Sequence, residues 1–287
     1  MDEGESWMGI MKFAILGDPV DHSLSPTIHQ AAYDVLGLEW HYSRIQVGER
    51  QLATFLDANL SQFRGFSLTM PLKDELFRIA GERLWQMDDA TRLLESANTL
   101  VVGDDGHVLV ANTDLLGAKR ALQGLPASLS SIAILGSGAT ARTLAVATLQ
   151  SFTELESLTV FSRRPEPAQT IAKSVDEVFG STKFEWLPLE AAADFGGADL
   201  TVNTLPSSVS KSIEIDLPFS ESFVFDVTYD NESESPAANW PVENRVDGRS
   251  MLVYQAVEQL KLFGAFDATT RNVSEHEVID AMFVSIN

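Results

Sequence analysis

The sequence predicts an α/β protein of two domains. At 287 residues, the chain has the length of two domains of about 150 residues each. Short β-rich apolar runs alternate with amphipathic helical stretches, which is the pattern of βαβ units and a largely parallel sheet. Apolar residues make up 45% of the chain and charged residues 21%, an ordinary globular composition that excludes disordered and fibrous proteins.

The predicted elements follow one another in order along the chain. Residues 12–17 form a strand, and residues 26–37 form a helix with Pro26 in its first turn. A hairpin over 98–112 turns at Asp104-Asp105-Gly106, and a helix follows near 114 before a Gly/Pro/Ser stretch. The other predicted strands are 40–46, 64–69, 131–135, 157–162, 184–188, 199–203 and 222–229. The other predicted helices are 50–59, 73–79, 139–150, 249–264 with Gly264 as its C-cap, and one that a capping box of Ser274 and Glu277 opens.

Charge and composition exclude several classes of function. With 20 basic and 41 acidic residues the net charge is −21, which argues against binding to nucleic acid or to an anionic membrane. No cysteine is present, so disulfides, thiolate nucleophiles and Cys-ligated metals are excluded, and the five scattered histidines suggest no metal site. The first residues are acidic, and no uncharged apolar stretch reaches the ~18 residues of a membrane span. We therefore expect a soluble, cytoplasmic protein without a metal.

A glycine-rich turn is the strongest local motif. The strand 131–135 runs directly into Gly136-Ser137-Gly138-Ala139-Thr140-Ala141-Arg142, which is G-x-G-x-x-A between a strand and a helix. Gly136 permits the tight turn, Gly138 lets the backbone approach a pyrophosphate, and Ala141 allows close packing of helix and sheet. A diphosphate would bind at the helix N-terminus, where N–H groups and the helix dipole favour anions. The alternative is a glycine turn without a ligand; the flanking strand and helix favour a Rossmann-like dinucleotide site.

The end of the next strand indicates which dinucleotide binds. An NAD site places Asp or Glu there for the ribose hydroxyls, whereas an NADP site places Arg near the 2′-phosphate. Here the strand ends in Ser162-Arg163-Arg164, without an acid. A guanidinium binds a phosphate through two hydrogen bonds, whereas a carboxylate would repel it. We therefore predict NADP, with two solvated loop arginines as the alternative.

The remaining motifs form a set that resembles the shikimate dehydrogenases, NADP-dependent enzymes of chorismate and aromatic amino-acid biosynthesis. The set spans residues 17 to 255 in the family's order, so it is more specific than any of its members. Its members are Gly17-Asp18-Pro19 with His22-Ser23-Leu24-Ser25-Pro26, the run from Gly65 to Lys73, Ala97-Asn98-Thr99-Leu100, Asn112-Thr113-Asp114 with Gly117, the glycine turn with Ser162-Arg163-Arg164, Asp226-Val227-Thr228-Tyr229, and the run from Gly248 to Gln255.

The resemblance implies a fold and a reaction. The expected architecture is an N-terminal α/β substrate domain (1–114 with 249–287), a Rossmann-like NADP-binding domain (115–248) and a cleft between them. The expected reaction is the reversible reduction of 3-dehydroshikimate to shikimate. We expect a monomer or a homodimer. Two alternatives are a quinate/shikimate dehydrogenase that uses NAD, and a catalytically silent dinucleotide-binding regulatory protein.

The resemblance also implies the site residues. Lys73 and Asp114 are the expected catalytic pair, because a developing alkoxide needs a proton donor and a partner that orients it. The structural alternatives are a surface lysine at a helix start and a helix N-cap aspartate. The expected substrate-binding residues are Ser23, Ser25, Thr69, Asn98, Tyr229 and Gln255. The expected cofactor-binding residues are Gly136, Ser137, Gly138, Ala139, Ala141, Arg142, Ser162, Arg163, Arg164, Thr204 and Gly248.

Three positions depart from the family's pattern. Ser67 stands where many members carry Asn, so one contact to the substrate differs in this chain. Ser208 stands where the family has Gly, and Asn231 follows Tyr229 and Asp230 where a proline is common.

Overall fold

The computed structural model describes residues 10–180, 182–206, 209, 222–228 and 240–287. The chain divides into two compact units, of which the first comprises residues 1–113 and 256–287 and the second comprises residues 114–255. These divisions fall at most seven residues from the domain boundaries expected from the sequence, at 114/115 and 248/249. The assignment of the units to substrate and to NADP stays a prediction.

The first unit is built on a six-stranded mixed sheet with the strand order β2-β1-β3-β5-β6-β4. Its strands are β1 (Lys12–Gly17), β2 (His41–Gln46), β3 (Gly65–Leu68), β4 (Gln86–Met87), β5 (Thr99–Val102) and β6 (Val108–Ala111). Its first helices are α1 (Ser25–Leu36), α2 (Leu52–Asn59), α3 (Leu72–Glu82) and α4 (Asp89–Leu94). Strand β1 pairs in parallel with β2 and β3, and β5 runs antiparallel to β3 and β6.

The second unit has a six-stranded sheet, β12-β11-β10-β7-β8-β9, in which every neighbouring pair is parallel. Its helices are α5 (Asp114–Leu122), α6 (Ala139–Ser151), α7 (Pro165–Phe179) and the first part of α8 (Gly248–Leu262). Its strands are β7 (Ser131–Leu135), β8 (Ser157–Ser162), β9 (Lys183–Pro188), β10 (Leu200–Asn203), β11 (Phe223–Asp226) and β12 (Arg245–Asp247).

The C-terminal segment returns to the first unit after residue 255. The rest of α8 is followed by α9 (Ala265–Ala268) and α10 (Glu275–Val284), and α10 packs against α1. Phe263 lies over Gly65, where an added Cβ would come within 2.6 Å of the phenyl ring, so a glycine is needed there. Phe263 also contacts Phe13 at 4.5 Å between ring centroids. The last residues of the chain therefore contribute to the core around β1 and β3.

The predicted fold class is confirmed, since each of the two units combines a six-stranded sheet with helices. The hairpin over 98–112 is confirmed, with the Gly103 N–H donating to the His107 carbonyl at 2.8 Å. The expectation of a largely parallel sheet is confirmed for the second unit. It is wrong in part for the first unit, because the hairpin inserts the antiparallel strand β5.

Three of the described helices are absent from the sequence prediction: α4, α7 and the four-residue α9. Helix α7 begins with Pro165-Glu166-Pro167, and the two prolines weaken the helical signal although proline is favoured in a first turn. Helix α4 has six residues, and Asp88 caps it by accepting a hydrogen bond from the Thr91 N–H at 2.7 Å. The capping box of Ser274 and Glu277 and the left-handed Gly264 after α8 are confirmed.

Each unit has its own apolar core, with Leu16, Phe66 and Leu100 in the first and Ala133, Leu135 and Phe161 in the second. Among the described residues, no helix is both long and apolar enough to cross a membrane. The same residues contain no group of three or more His, Cys, Asp or Glu side chains placed to hold a metal ion.

Candidate functional site

The expected substrate residues of the first unit follow the ends of neighbouring strands. Ser23 and Ser25 lie between β1 and the first turn of α1, and the Ser25 N–H donates to the Ser23 Oγ at 3.2 Å. Ser25 is buried and Ser23 is half-buried. The carboxyl ends of parallel strands are where α/β proteins bind their ligands. Both hydroxyls therefore lie at the edge of the sheet where a ligand is expected.

Thr69 and Lys73 follow β3, the strand next to β1. The Thr69 N–H donates to the Leu16 carbonyl at 2.9 Å, and a Cβ at Gly17 would lie 2.4 Å from the Thr69 Cγ2. Gly17 is therefore required for the close approach of the two loops. Lys73 is the second residue of α3, as its motif predicts, and its side chain is half-buried. Its carbonyl accepts a hydrogen bond from the Ala97 N–H at 3.0 Å, which fixes Lys73 beside the start of β5.

Asn98 is the most constrained of the expected substrate residues. It is 2% exposed, and its backbone bonds to the strands on both sides, to Leu68 at 2.8 Å and to Ala111 at 3.1 Å. Its Oδ1 accepts the Thr113 N–H at 2.8 Å, and its Nδ2 donates to the Thr113 Oγ1 at 2.9 Å. Asn98 and Lys73 thus lie on either side of Ala97, so the structure brings together two predicted site residues of different motifs.

A buried polar network continues from Asn98 into the unit, and the sequence did not reveal it. We define the buried polar network as Tyr42, Ser67, Gln259, Thr99 and Asn98. The Tyr42 hydroxyl donates to Ser67 at 2.6 Å, and Ser67 donates to the Gln259 Oε1 at 2.8 Å. The Gln259 Nε2 donates to Thr99 at 3.1 Å, and Thr99 donates to the Asn98 Oδ1 at 2.9 Å.

One signal could have pointed to Gln259. It stands four residues after Gln255 in the predicted helix, and that spacing places two side chains on the same face of a helix. Ser67 departs from the family's pattern, but the side chain that it contacts lies 192 residues further along the chain. Nothing in the local sequence specifies such a pair.

Two buried titratable side chains have shifted pKa values, His29 beside this network and Tyr42 within it. Burial lowers the pKa of His29 to about 4, although a hydrogen bond to the Ser25 carbonyl at 2.8 Å opposes the shift. The His29 ring stacks on Tyr42 with 4.0 Å between centroids. Burial raises the pKa of Tyr42 above its usual range, against hydrogen bonds with Ser67 and Ser25 that favour the ionised form. His29 is thus neutral and Tyr42 protonated near neutral pH.

In the second unit, the glycine turn has the shape of a phosphate cradle. Gly136 has φ +110°, and a Cβ there would lie 2.3 Å from the Thr204 Oγ1. Gly138 caps α6, and a Cβ there would meet no heavy atom within 4 Å, so open space lies beside its backbone. The cap uses no side-chain hydrogen bond, so the N–H groups of the first turn can bind an anion. The residues present therefore fit the diphosphate of a dinucleotide.

The remaining residues of the turn lie at the start of α6, and those of the second motif lie at the end of β8. Ser137 and Ala139 are half-buried beside the turn, whereas Ala141 and Arg142 are buried on α6. The Ser162 hydroxyl, at the end of β8, donates to the Arg164 carbonyl at 2.7 Å and accepts from Trp186 at 2.9 Å. Arg163 and Arg164 are exposed, and Arg164 is the N-cap residue of α7. Ser162 thus fixes the backbone that presents the two guanidinium groups.

Three further expected site residues, Thr204, Gly248 and Gln255, lie against backbone carbonyl groups. Thr204 closes over the turn and donates to the Leu135 carbonyl at 2.7 Å. A Cβ at Gly248 would lie 2.6 Å from the Asp226 carbonyl, so the start of α8 needs a glycine. Gln255 is buried, with its Nε2 donating to the Leu252 carbonyl at 2.7 Å.

The expected site residues not yet described are Asp114 and Tyr229, and the positions that depart from the family's pattern include Ser208 and Asn231. Asp114 is buried, opens α5 and directly follows Thr113, whose backbone binds Asn98. Tyr229, Ser208 and Asn231 lie outside the described residues. The roles assigned to all the site residues stay predictions.

Comparison with known proteins identifies relatives of this chain. The family model described as the shikimate dehydrogenase substrate binding domain matches residues 15–100. A shikimate dehydrogenase (NADP(+)) from Methanosarcina acetivorans is 30% identical over 268 residues, which cover 89% of this chain and 93% of the relative. One from Rubrobacter xylanophilus is 31% identical over 269 residues, covering 88% of this chain and 90% of the relative.

A solved structure is similar over nearly the whole chain. The shikimate 5-dehydrogenase from Thermus thermophilus in complex with NADP(H) and shikimate has a TM-score of 0.69 and 27% identity, covering 96% of this chain and all of the other. The expected resemblance is therefore confirmed, and this chain belongs to the shikimate dehydrogenase family.

Proposed function

We propose that the protein is an NADP-dependent shikimate dehydrogenase that reversibly reduces 3-dehydroshikimate to shikimate. The observation that carries this proposal is the hydrogen bond between the Lys73 carbonyl and the Ala97 N–H, which holds the backbone of Lys73 beside the residue that precedes Asn98. A proton donor beside a buried amide is what the reduction of a hydroxylated ketone needs. Relatives named for this activity, about 30% identical over most of the chain, support the proposal.

Lys73 is the proposed acid. When bound, NADPH supplies the hydride that reduces the carbonyl carbon. The Lys73 ammonium stabilises the negative charge that develops on the carbonyl oxygen, and it donates a proton from Nζ to that oxygen. In the direction of oxidation, the Lys73 amine takes the proton from the hydroxyl group. Asp114 is the second member of the proposed catalytic pair.

The hydroxyl and amide groups of Ser23, Ser25, Thr69, Asn98 and Gln255 bind and orient the substrate. A carboxylated ring with several hydroxyl groups needs short donors and acceptors, and these side chains are of that type. Tyr229 is proposed to help hold the carboxylate end. Oriented contacts of this kind favour one face of the ring for the reaction.

Backbone and arginine groups of the second unit bind the dinucleotide. The N–H groups at the start of α6 would bind the diphosphate beside Gly138, where the structure leaves space. Arg163 and Arg164 would bind the 2′-phosphate, since both are exposed at the end of the strand after the turn. This preference distinguishes the proposal from an NAD-dependent quinate/shikimate dehydrogenase.

One assay tests the proposal and both alternatives. The purified protein is mixed with shikimate and NADP, and the absorbance of the reduced cofactor is followed, in parallel with quinate and with NAD. We expect turnover with shikimate and NADP to exceed every other combination. Faster turnover with quinate and NAD would support the first alternative, and cofactor binding without any turnover would support the regulatory protein. A monomer or homodimer is proposed as well, and light scattering of the same sample would measure it.

A further inference from the structure

The buried polar network of Tyr42, Ser67, Gln259, Thr99 and Asn98 has a fixed direction. A backbone N–H can only donate, so the Thr113 N–H at 2.8 Å identifies the nearby atom of Asn98 as its carbonyl oxygen. Thr99 lies 2.9 Å from the same oxygen and 3.3 Å from the Thr113 Oγ1, and its hydroxyl donates to the Asn98 oxygen, the shorter of the two contacts. The Thr99 oxygen must then accept from Gln259, because the only proton of that hydroxyl is already used.

The same reasoning determines the rest of the network. The Gln259 Nε2 points to Thr99, so its Oε1 faces Ser67, which must donate to it at 2.8 Å. Ser67 therefore accepts from the Tyr42 hydroxyl at 2.6 Å. Ser67, Asn98, Thr99 and Gln259 are all buried, so an unmatched donor or acceptor would be costly here. The amide of Gln259 accepts a hydrogen bond from the Ser67 hydroxyl and donates one to the Thr99 hydroxyl, so it determines which way both hydroxyl protons point.

We propose that Gln259 is a positioning residue for the substrate, acting through Thr99 on the Asn98 amide. With its Oδ1 held by Thr99 and Thr113, Asn98 is fixed in the orientation in which its Nδ2 serves as a hydrogen-bond donor. This inference rests on the proposed function, since it assigns Asn98 to substrate binding.

The first test removes the amide. Gln259→Leu should raise the KM for shikimate by about tenfold, the effect of one disturbed hydrogen bond, while the KM for NADP stays within about twofold. Gln62→Leu is the matched control, because Gln62 is exposed in the first unit, and it should leave both constants unchanged. Thr99→Val should reproduce the effect of Gln259→Leu, and Thr99→Ser, which keeps the hydroxyl, should restore a low KM.

The second test uses the direction of the bonds. In Gln259→Glu the protonated carboxyl can still donate to Thr99, whereas the ionised carboxylate can only accept and would withdraw the Thr99 proton from Asn98. The ratio of kcat/KM for shikimate between this variant and the wild type should therefore fall as the pH rises from about 6 to about 9, the range in which a buried carboxyl ionises. A merely structural role of Gln259 would lower the melting temperature without such a profile.

The outcomes separate the inference from the proposed function. A wild type that does not oxidise shikimate would contradict the proposed function itself. With an active wild type, the inference is overturned if the folded Gln259→Leu and Thr99→Val variants keep a shikimate KM within about twofold of the wild type. A ratio for Gln259→Glu that does not change with pH would overturn it as well. Because Gln259→Glu and Thr99→Ser preserve size and polarity, they remain informative if Gln259→Leu fails to fold.

Discussion

The two units bury polar side chains in different ways. In the first unit, Gln259 bonds to Ser67 and to Thr99 across 192 and 160 residues of sequence. In the second unit, the buried Asn203 and Asp226 bond at 3.0 Å across 23 residues, at the ends of adjacent parallel strands. The glycine turn of that unit is more local still, since the cradle beside Gly138 is formed by consecutive residues.

This difference teaches which kind of site a sequence can reveal. A phosphate cradle needs backbone N–H groups at a helix start, so a short motif specifies it. A polyol site needs side-chain donors and acceptors in a fixed order, and in the first unit this order depends on a helix from the far end of the chain. We therefore expect diphosphate binding to depend on a few contiguous residues, and substrate binding to depend on distant ones.

The largest expected effect is on catalysis by the first unit. Lys73→Ala should lower turnover by about 10²–10⁴-fold, the usual contribution of a positioned acid or base, with little change in cofactor affinity. Steady-state kinetics with both substrates varied would measure this. Lys12→Ala, at an exposed lysine of the same unit, is the control and should keep full activity. If Lys73→Ala retains more than about a third of wild-type turnover, Lys73 is not the acid.

The next effect concerns the second unit. A 2′-phosphate carries about −1.5 to −2 charges near neutral pH, and one charge-assisted contact to it predicts about a ten- to hundredfold preference for NADP over NAD. Arg163→Asp with Arg164→Ala should abolish this preference through a raised KM for NADP, while the KM for shikimate stays unchanged. Added salt should also weaken the wild-type preference, because both arginines are exposed.

Exposed Arg50 provides the control for charge alone, since Arg50→Asp should leave the cofactor preference intact. A double variant that still selects NADP would show that the two arginines are a solvated loop. A wild type that uses both cofactors equally would show the same.

The smallest expected effect is on the free energy of unfolding, through His29, which is buried beside the buried polar network. Because burial lowers the pKa of His29 to about 4, the unfolded chain binds a proton near pH 6.5 that the folded chain does not. Stability from this residue is complete above about pH 6.5 and is lost as the pH falls toward 4, by about 2 kcal/mol between pH 7 and pH 5.

Urea unfolding of the wild type and of His29→Phe at both pH values would measure this loss. The phenylalanine variant should lose less stability on acidification, whereas His41→Phe, at an exposed histidine, should lose as much as the wild type. Equal losses in His29→Phe and the wild type would contradict the burial of a neutral His29.

Much of the fold could be predicted from the sequence, because its signals are local. Strands 131–135 and 157–162 fall on the predicted residues, since each is a short β-rich run that ends at a glycine or a polar residue. The hairpin was specified by its Asp-Asp-Gly turn. Helix α7 was missed because two prolines in one turn are ambiguous, and only packing against α6 and β9 resolves them.

The candidate sites were predictable to different extents. The glycine turn and the two arginines follow from the chemistry of phosphate binding. Lys73 and Asn98 were identified through motifs, but the bond that brings them together passes through Ala97, which carries no chemical signal. The roles of Tyr42 and Gln259 could not be predicted, because each depends on a partner that only the folded chain provides.

The most direct test of the central claim is calorimetric titration of each ligand alone into two variants. Gly138→Val fills the open space of the cradle without meeting any heavy atom at its Cβ, and Thr69→Val removes one hydroxyl while keeping the methyl group that packs on Gly17. Gly138→Val should weaken NADP binding by about tenfold or more and leave shikimate binding unchanged. Thr69→Val should weaken shikimate binding by about tenfold or more and leave NADP binding unchanged. A Gly138→Val variant that binds NADP like the wild type, or a Thr69→Val variant that loses NADP rather than shikimate, would contradict the assignment of the two ligands to the two units.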